Sequence, residues 1–525
     1  MVKRFFFVFI AVLTALPLTA STYIKHDPID RNLPVNQIFD QLWANNNIKT
    51  PATASDAVFL RRATLTLCGR LPSANEARDF LSDEDLNKRA NIINKLIDSP
   101  EFADMQTMRF ADMLRIKSEF PINLWPNAVQ AYHRKIHDDL LADRSLNEMF
   151  YEMLTVSGSN FRTPYANFFR ASANRSPEGL AEMVLLTTMN MRKNTMSEND
   201  FKAFARLFSC IRYKSTYEWQ EEIVFNAIEP QKFTAVLPDG SSVKVNSFQR
   251  DPREIFADWL LKSDNDFFAR AMTNRVWYWC FGRGIYPQAD ALPMPPGKWN
   301  RFWGTFDKEN VPFSQELQDY LIAEFKKSNY SLKHLYRLVL NSSAFQASSL
   351  EQDEKLLRYR AAYPLRRLES ELLIDALSKV TGGYDRYMSV IPEPFTYLPR
   401  GTKAINIADG SISTGVLDSF GRPPRDSGQF SERNTASTDS QKLYLMNSAA
   451  LYRRLTGYSR STSRIRSDEQ RLDRIYLDIL SRYPTRRERD AFKRYKAGFE
   501  PKLYETAWND TVWVLLNSKE FIFYH

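Results

Sequence analysis

The chain has 525 residues, 43% hydrophobic and 13% aromatic, with a formal net charge of +9. That is enough chain for two or three domains around a large core, and it excludes a disordered protein. Three isolated cysteines argue against a disulfide scaffold or a thiolate zinc site, and five histidines leave little for a Ser-His-Asp mechanism.

Residues 1–20 carry Lys3 and Arg4, an apolar run from Phe5 to Leu16, and Leu18-Thr19-Ala20 at a small-residue cleavage position. This is the pattern of an export signal, and it predicts a periplasmic or extracellular protein. No later run is long and apolar enough to span a bilayer, so no transmembrane segment is expected after cleavage.

Residues 21–54, rich in Pro and Asn, read as an extended lead-in, and a helical domain is expected over 55–215. Its helices fall at Asp56–Leu67, Ser73–Leu81, Lys88–Ile97, Glu101–Ile116, Asn127–Ala142, Leu146–Leu154, Ser176–Met191 and Ser197–Tyr213. His133 and His137 lie four apart on one face, but no third metal ligand is identifiable, so no metal is expected. A linker over 216–250 holds two alternating runs about Pro238-Asp239-Gly240-Ser241, a β-hairpin signal.

A second helical domain is expected over 251–525, organised around NDFFARAMTNRVWYWCFGRG, residues 265–284. Phe268, Ala271, Met272 and Trp279 line one side of a helix that is apolar on most of its circumference, which marks it as buried. Arg270, Asn274 and Arg275 sit in the same helix and need polar partners, so they form a structural polar core, with Glu369, Glu371 and Asp426 as expected partners. Gly282 and Gly284 supply the stop. Trp299, Phe302 and Trp303 lie in an irregular stretch that is expected to cover a groove. Helices resume at Ser314–Lys327, Leu332–Leu340, Pro364–Val380 and Thr438–Leu455. They flank a long Gly/Pro/Ser-rich connection over 391–435.

Within that connection, FGRPPRDSGQFSERN presents Arg422, Arg425 and Arg433. Their planar forks suit carboxylate, sulfate or phosphate, and the competing reading is that they tie the loop to buried carboxylates. Between Arg422 and Gly498 there are eighteen Lys and Arg against nine Asp and Glu, so nearly all of the positive excess lies here.

The two ends echo each other. Arg62, Leu65, Leu67, Arg70, Pro72, Ser73, Glu76 and Phe80 recur in the same spacing from Arg474 to Phe492. Each copy reads as helix, turn, helix with a capping box, and each ends in a related phrase, IDSPEF at 97–102 and LNSKEF at 516–521. LNSSAF at 340–345 is a third copy of the phrase, and the two ends are expected to form equivalent helical hairpins.

DPREIFADWLLKSDNDFFARAMTNRVWYWCFGRGI, with YPLRRLESELLIDAL and DSFGRPPRDS, resembles PSD-one (DUF-1553). FLRRATLTLCGRLPSANEARDFL and KLIDSPEF resemble its N-terminal companion PSCyt-two (DUF-1549). These paired domains of unknown function occur in exported planctomycete-type proteins, often joined to a cytochrome c domain and encoded near sulfatase-like partners. The resemblance implies a mostly helical exported protein. Where relatives carry Cys-x-x-Cys-His, this chain reads Thr188-Met189-Asn190-Met191-Arg192. Gln429 and Ser431 stand where relatives carry a Cys-x-Cys pair, and Ser314 where they carry a histidine. Covalent haem is therefore not expected.

The reading is a mainly α protein of two multi-helical lobes with a small β-hairpin between them, without a cofactor. Its expected role is binding or scaffolding at the cell envelope, leaning away from catalysis, and no catalytic residue is assigned. Arg422, Arg425 and Arg433, with Trp299 and Trp303 as stacking surfaces, are expected to recognise an anionic polysaccharide or a co-exported envelope protein, and no nucleic acid. The alternatives are a non-haem hydrolase of polysaccharide breakdown or a degenerate cytochrome-associated redox protein.

Overall fold

Val35, Ile38, Phe39 and Trp43 recur at helical spacing after Pro34, and they bury one face of helix α1 (Pro34–Asn45). The stretch read as an extended lead-in therefore contains a helix. The computed structural model describes residues 28–227, 229, 231–262, 264–294, 309–390 and 394–525. The export signal, Trp299 and Trp303 fall outside these residues.

The first lobe continues with α2 (Asp56–Cys68), α3 (Ala74–Ser82), α4 (Lys88–Ile97), α5 (Pro100–Met113), α6 (Pro126–Leu141), α7 (Leu146–Thr155), α8 (Pro177–Met189) and α9 (Glu198–Ala205). The helix expected over Ser197–Tyr213 ends early. Its last residues form strand β2 (Ile211–Ser215), which pairs antiparallel with β3 (Glu222–Asn226), and β3 also takes the short strand β1 (Gly158–Ser159). Here pairing with EIVFN overrides local helical periodicity. The expected hairpin is β4 (Lys232–Val236) and β5 (Ser242–Asn246), with Lys232 opposite Asn246. The architecture is mainly α, with this small strand region between two helical parts.

The second lobe comprises α10 (Pro252–Lys262), α11 (Phe267–Phe281), α12 (Gln315–Lys327), α13 (Leu332–Leu340), α14 (Ser370–Thr381), α15 (Asp439–Asn447), α16 (Ala449–Thr462), α17 (Asp468–Leu480), α18 (Arg486–Ala497) and α19 (Tyr504–Leu516). Strands β6 (Arg366–Arg367) and β7 (Phe523–Tyr524) pair antiparallel and bring the chain's last residues to the start of α14. One hydrophobic cluster runs through both lobes. Among the described residues no helix is long and apolar enough to cross a membrane.

Buried arginines lock the lobes together. Arg61 donates to the carbonyls of Ile479 at 2.9 Å and Phe521 at 2.8 Å. Arg62 donates to those of Ala347 and His525, each at 2.9 Å, with its guanidinium 3.7 Å from the Tyr363 ring centroid. Side chains this deep need such carbonyl acceptors, because a buried cation without partners is costly.

The echo recurs in the contacts that hold the turn. Arg70 grips Glu76 at 2.9 and 2.8 Å, and Arg482 grips Glu488 at 2.8 Å twice. Ser73 with Glu76 and Thr485 with Glu488 form complete capping boxes. Each arginine also reaches the acid of the closing phrase, Arg70 to Glu101 at 3.6 Å and Arg482 to Glu520 at 2.6 Å. The repeated residues are those that fix the turn between two helices.

Candidate functional site: an arginine-lined cavity between the lobes

Helix α11 is buried along its whole length except at Tyr278. Asn274 ties down the loop that follows it: Oδ1 accepts from the amides of Ile285 at 2.8 Å and Tyr286 at 3.3 Å, and Nδ2 donates to the Ala289 carbonyl at 3.4 Å. Gly284 permits that approach, since a Cβ there would lie 2.8 Å from Asn274 Oδ1 and 2.6 Å from the Tyr286 carbonyl oxygen. Arg275 donates from Nη2 to the Leu186 carbonyl at 2.8 Å, near the end of α8 in the first lobe. Burial pushes its pKa down to about 10, so it remains a cation at neutral pH. Arg270 differs from both. Among the described residues its Nε, Nη1 and Nη2 are buried with no hydrogen-bond partner, and the group lies 5.8 Å from the ring centroids of Phe267 and Tyr286.

The acids expected beside Asn274 and Arg275 have other partners. Glu369 takes Arg366 at 2.9 Å and the Tyr524 hydroxyl at 3.0 Å, Glu371 takes Arg433, and Asp426 takes Lys117 at 2.7 Å. Arg275 uses a carbonyl at a helix end instead, an acceptor that leaves no mark in the sequence.

In the arginine loop, Arg422 is buried, donates to the carbonyls of Ile412 and, at 3.3 Å, Asp409, and lies 3.5 Å from Glu371. Arg425, also buried, reaches Asp112 of α5 at 2.9 Å and the Ala408 carbonyl at 2.7 Å. Arg433 bridges Glu371, at 2.5 and 3.1 Å, and Asp112, at 2.6 Å. Burial raises the Glu371 carboxyl, and the guanidinium of Arg433 with that of Arg422 more than reverses this, holding it at about 2. Gly428 lets the loop touch α5: its φ is +76°, and a Cβ would lie 2.6 Å from the Met113 carbonyl oxygen.

Between α5, α11, the Arg366 region and this loop lies a cavity of about 160 Å³. Arg109, Arg275, Arg283, Arg366 and Arg433 line it, against two carboxylates, Asp112 and Glu369. Of the three loop arginines only Arg433 is part of this lining. Both acids are engaged, Asp112 by Arg425 and Arg433 and Glu369 by Arg366. Burial raises Glu369, and the cations led by Arg366 bring it below its ordinary value. Among the described residues Arg275 Nε and Arg366 Nε are buried donors without a hydrogen-bond partner. Tyr278 stacks on Phe430 at 3.9 Å between ring centroids, and Gln429 completes that wall. Arg283, Arg366 and Arg433 thus each hold a carboxylate, Arg283 that of Glu354 at 2.9 Å, while Arg109 and Arg275 hold none among the described residues. Sequence reasoning singled out Arg275 and Arg433 but missed Arg366, whose only signal was its place in the YPLRRLES phrase.

His133 and His137 do not come together as a ligand pair. The Nε2 of His133 is buried without a partner and burial pushes its pKa down to about 3, whereas His137 faces Asp104 at 3.3 Å, which raises it. Among the described residues no group of three or more His, Cys, Asp and Glu could hold a metal ion. Cys68, Cys210 and Cys280 are free and buried.

Arg192 and Gln429, far apart in sequence, come together in the structure. Arg192 Nη2 donates to Gln429 Oε1 at 2.9 Å, and Thr188 hydrogen-bonds its own helix at the Val184 carbonyl. Thr188, Met191 and Arg192 offer neither the two thiols that join haem vinyl groups nor an imidazole, so these residues do not fit covalent haem.

Fold and site define a two-lobed helical protein with an arginine-lined cavity at the lobe junction. Residues 34–209 match PSCyt2, protein of unknown function (DUF1549), and residues 252–496 match PSD1, protein of unknown function (DUF1553). The chain belongs to the families that these two domains define, and carries them in that order. No curated protein and no solved structure matches it.

Proposed function

We propose that the protein is a binding component of the cell envelope that takes the charged end of an anionic ligand, a sulfate- or carboxylate-bearing sugar, into the cavity between its lobes. The observation that carries this reading is the cavity lining: five arginines, of which Arg109 and Arg275 hold no carboxylate among the described residues, against two carboxylates that are already paired. A guanidinium forms strong charge-assisted hydrogen bonds to an oxyanion. Arg433 is the loop residue that faces the ligand. Arg422 and Arg425 hold the loop to α5 and α14. The envelope location rests on the export pattern of residues 1–20.

Calorimetric titration with sulfated, carboxylated and neutral monosaccharides tests this. Saturable heat with the charged sugars alone supports it. Equal heats from charged and neutral sugars, or none from either, count against it.

A further inference from the structure

The positive excess of the C-terminal region is only partly matched by ion pairs. Arg454, Arg471, Arg474, Arg482 and Arg489 each hold a carboxylate. Arg453, Arg460, Arg464 and Arg466 are exposed, and among the described residues none of them has a carboxylate partner. The side-chain bond shown for this group is from Arg453 Nε to the Ala449 carbonyl, one turn back, at 3.4 Å.

Their placement follows from helix α16. Leu451, Leu455, Ser459 and Thr462 bury one side of it. Arg453 and Arg460 stand seven residues apart on the opposite side, about 10 Å along the axis. Arg464 continues the line one turn further, in the turn that closes the helix. Between Arg453 and Arg460 the surface is low, made of half-buried Thr456 and exposed Gly457, and a Cβ on Gly457 would meet nothing within 4 Å. Gly457, Tyr458 and Ser461 also form one wall of a groove of about 460 Å³. Its opposite wall brings in Ser73, Asn75 and Lys379, with Arg474 beside them.

We propose that this face of α16 and its groove bind a linear polyanion, an acidic polysaccharide strand whose successive charges meet Arg453, Arg460 and Arg464. A row of cations at regular intervals along a shallow, open surface suits a chain with repeating charge. A membrane-docking face instead places large apolar side chains between its cations; here Thr456 and Gly457 lie between Arg453 and Arg460, with exposed Tyr452 beside the row. This surface is separate from the cavity at the lobe junction and does not depend on it.

Heparin is a suitable probe, measured by calorimetry over a range of salt concentrations. The triple variant Arg453→Gln, Arg460→Gln, Arg464→Gln is compared with a charge-matched triple on α18, Arg486→Gln, Arg487→Gln, Lys493→Gln. All six side chains are exposed, and far-UV circular dichroism verifies folding. The α16 triple is expected to lose tenfold or more in affinity, and its log–log salt slope to fall by about two to three. The α18 triple is expected to stay within twofold of the parent. Equal losses in both triples, which would signal diffuse charge, or no loss in the α16 triple would overturn the proposal. So would an α16 defect seen only with phosphatidylglycerol vesicles and not with heparin.

Discussion

Arg192 at the end of the first lobe's α8 region and Gln429 in the second lobe's arginine loop are joined by a 2.9 Å hydrogen bond. They are 237 residues apart. The contact closes one side of the lobe junction with polar groups, next to a cavity whose charge favours anions.

The loop's anchoring rests on Arg433, which bridges Glu371 and Asp112. Arg433→Ala leaves Glu371 buried with the Ser370 hydroxyl at 2.9 Å and a 3.5 Å contact to Arg422 as its remaining partners. Breaking a buried ion pair from one side costs about 3–5 kcal/mol. Urea denaturation should show a loss of that size, and a loss below about 1 kcal/mol would mean the bridge is not structural.

Arg270 has the opposite expectation. A buried guanidinium without hydrogen-bond partners is a net cost, so Arg270→Met should leave stability unchanged or raise it, by up to about 4 kcal/mol. A clear decrease in the urea midpoint would show that the contacts with Phe267 and Tyr286 outweigh desolvation.

Acid sensitivity should trace in part to His133. Burial, with Arg425 and then His137 adding to it and Asp104 opposing, holds its folded pKa near 3. The unfolded chain takes up this proton below about pH 6.5 while the folded chain does not, so stability falls as pH drops from about 6.5 towards 3. The loss is roughly 1 kcal/mol per pH unit. His133→Asn should flatten the profile in that window relative to the parent, and identical slopes for the two proteins would refute the assignment.

The repeated hairpins should respond alike to loss of their caps. Ser73→Ala and Thr485→Ala each remove the side-chain acceptor of a complete capping box, at a cost of about 1 kcal/mol. Thermal denaturation of the two variants tests this, and a loss confined to one of them would show that the two turns are not energetically equivalent.

The helical lobes, the 232–246 hairpin and the central helix were legible because periodicity, capping residues and a Pro-Asp-Gly-Ser turn are local signals. Helix α1 was equally local in its Val35, Ile38, Phe39 and Trp43 spacing, but Pro and Asn around it masked the pattern. Strand β2 was not legible, because its partner β3 lies beyond an intervening turn and decides its conformation. The cavity was only half visible. Arg275 and Arg433 stood out as polar residues in unusual settings, while Arg366 gains its role from the fold that brings it beside them.

The central claim is that the lobe-junction cavity recognises an anion through its positive charge. Calorimetric titration of the parent and of Gln429→Glu with a sulfated monosaccharide tests this most directly. The substitution keeps an oxygen acceptor for Arg192 and adds one negative charge to the cavity wall. The account predicts saturable binding by the parent and a tenfold or greater loss in the variant, about 1.4 kcal/mol, with no loss of thermal stability. Equal affinity in the two proteins would contradict it.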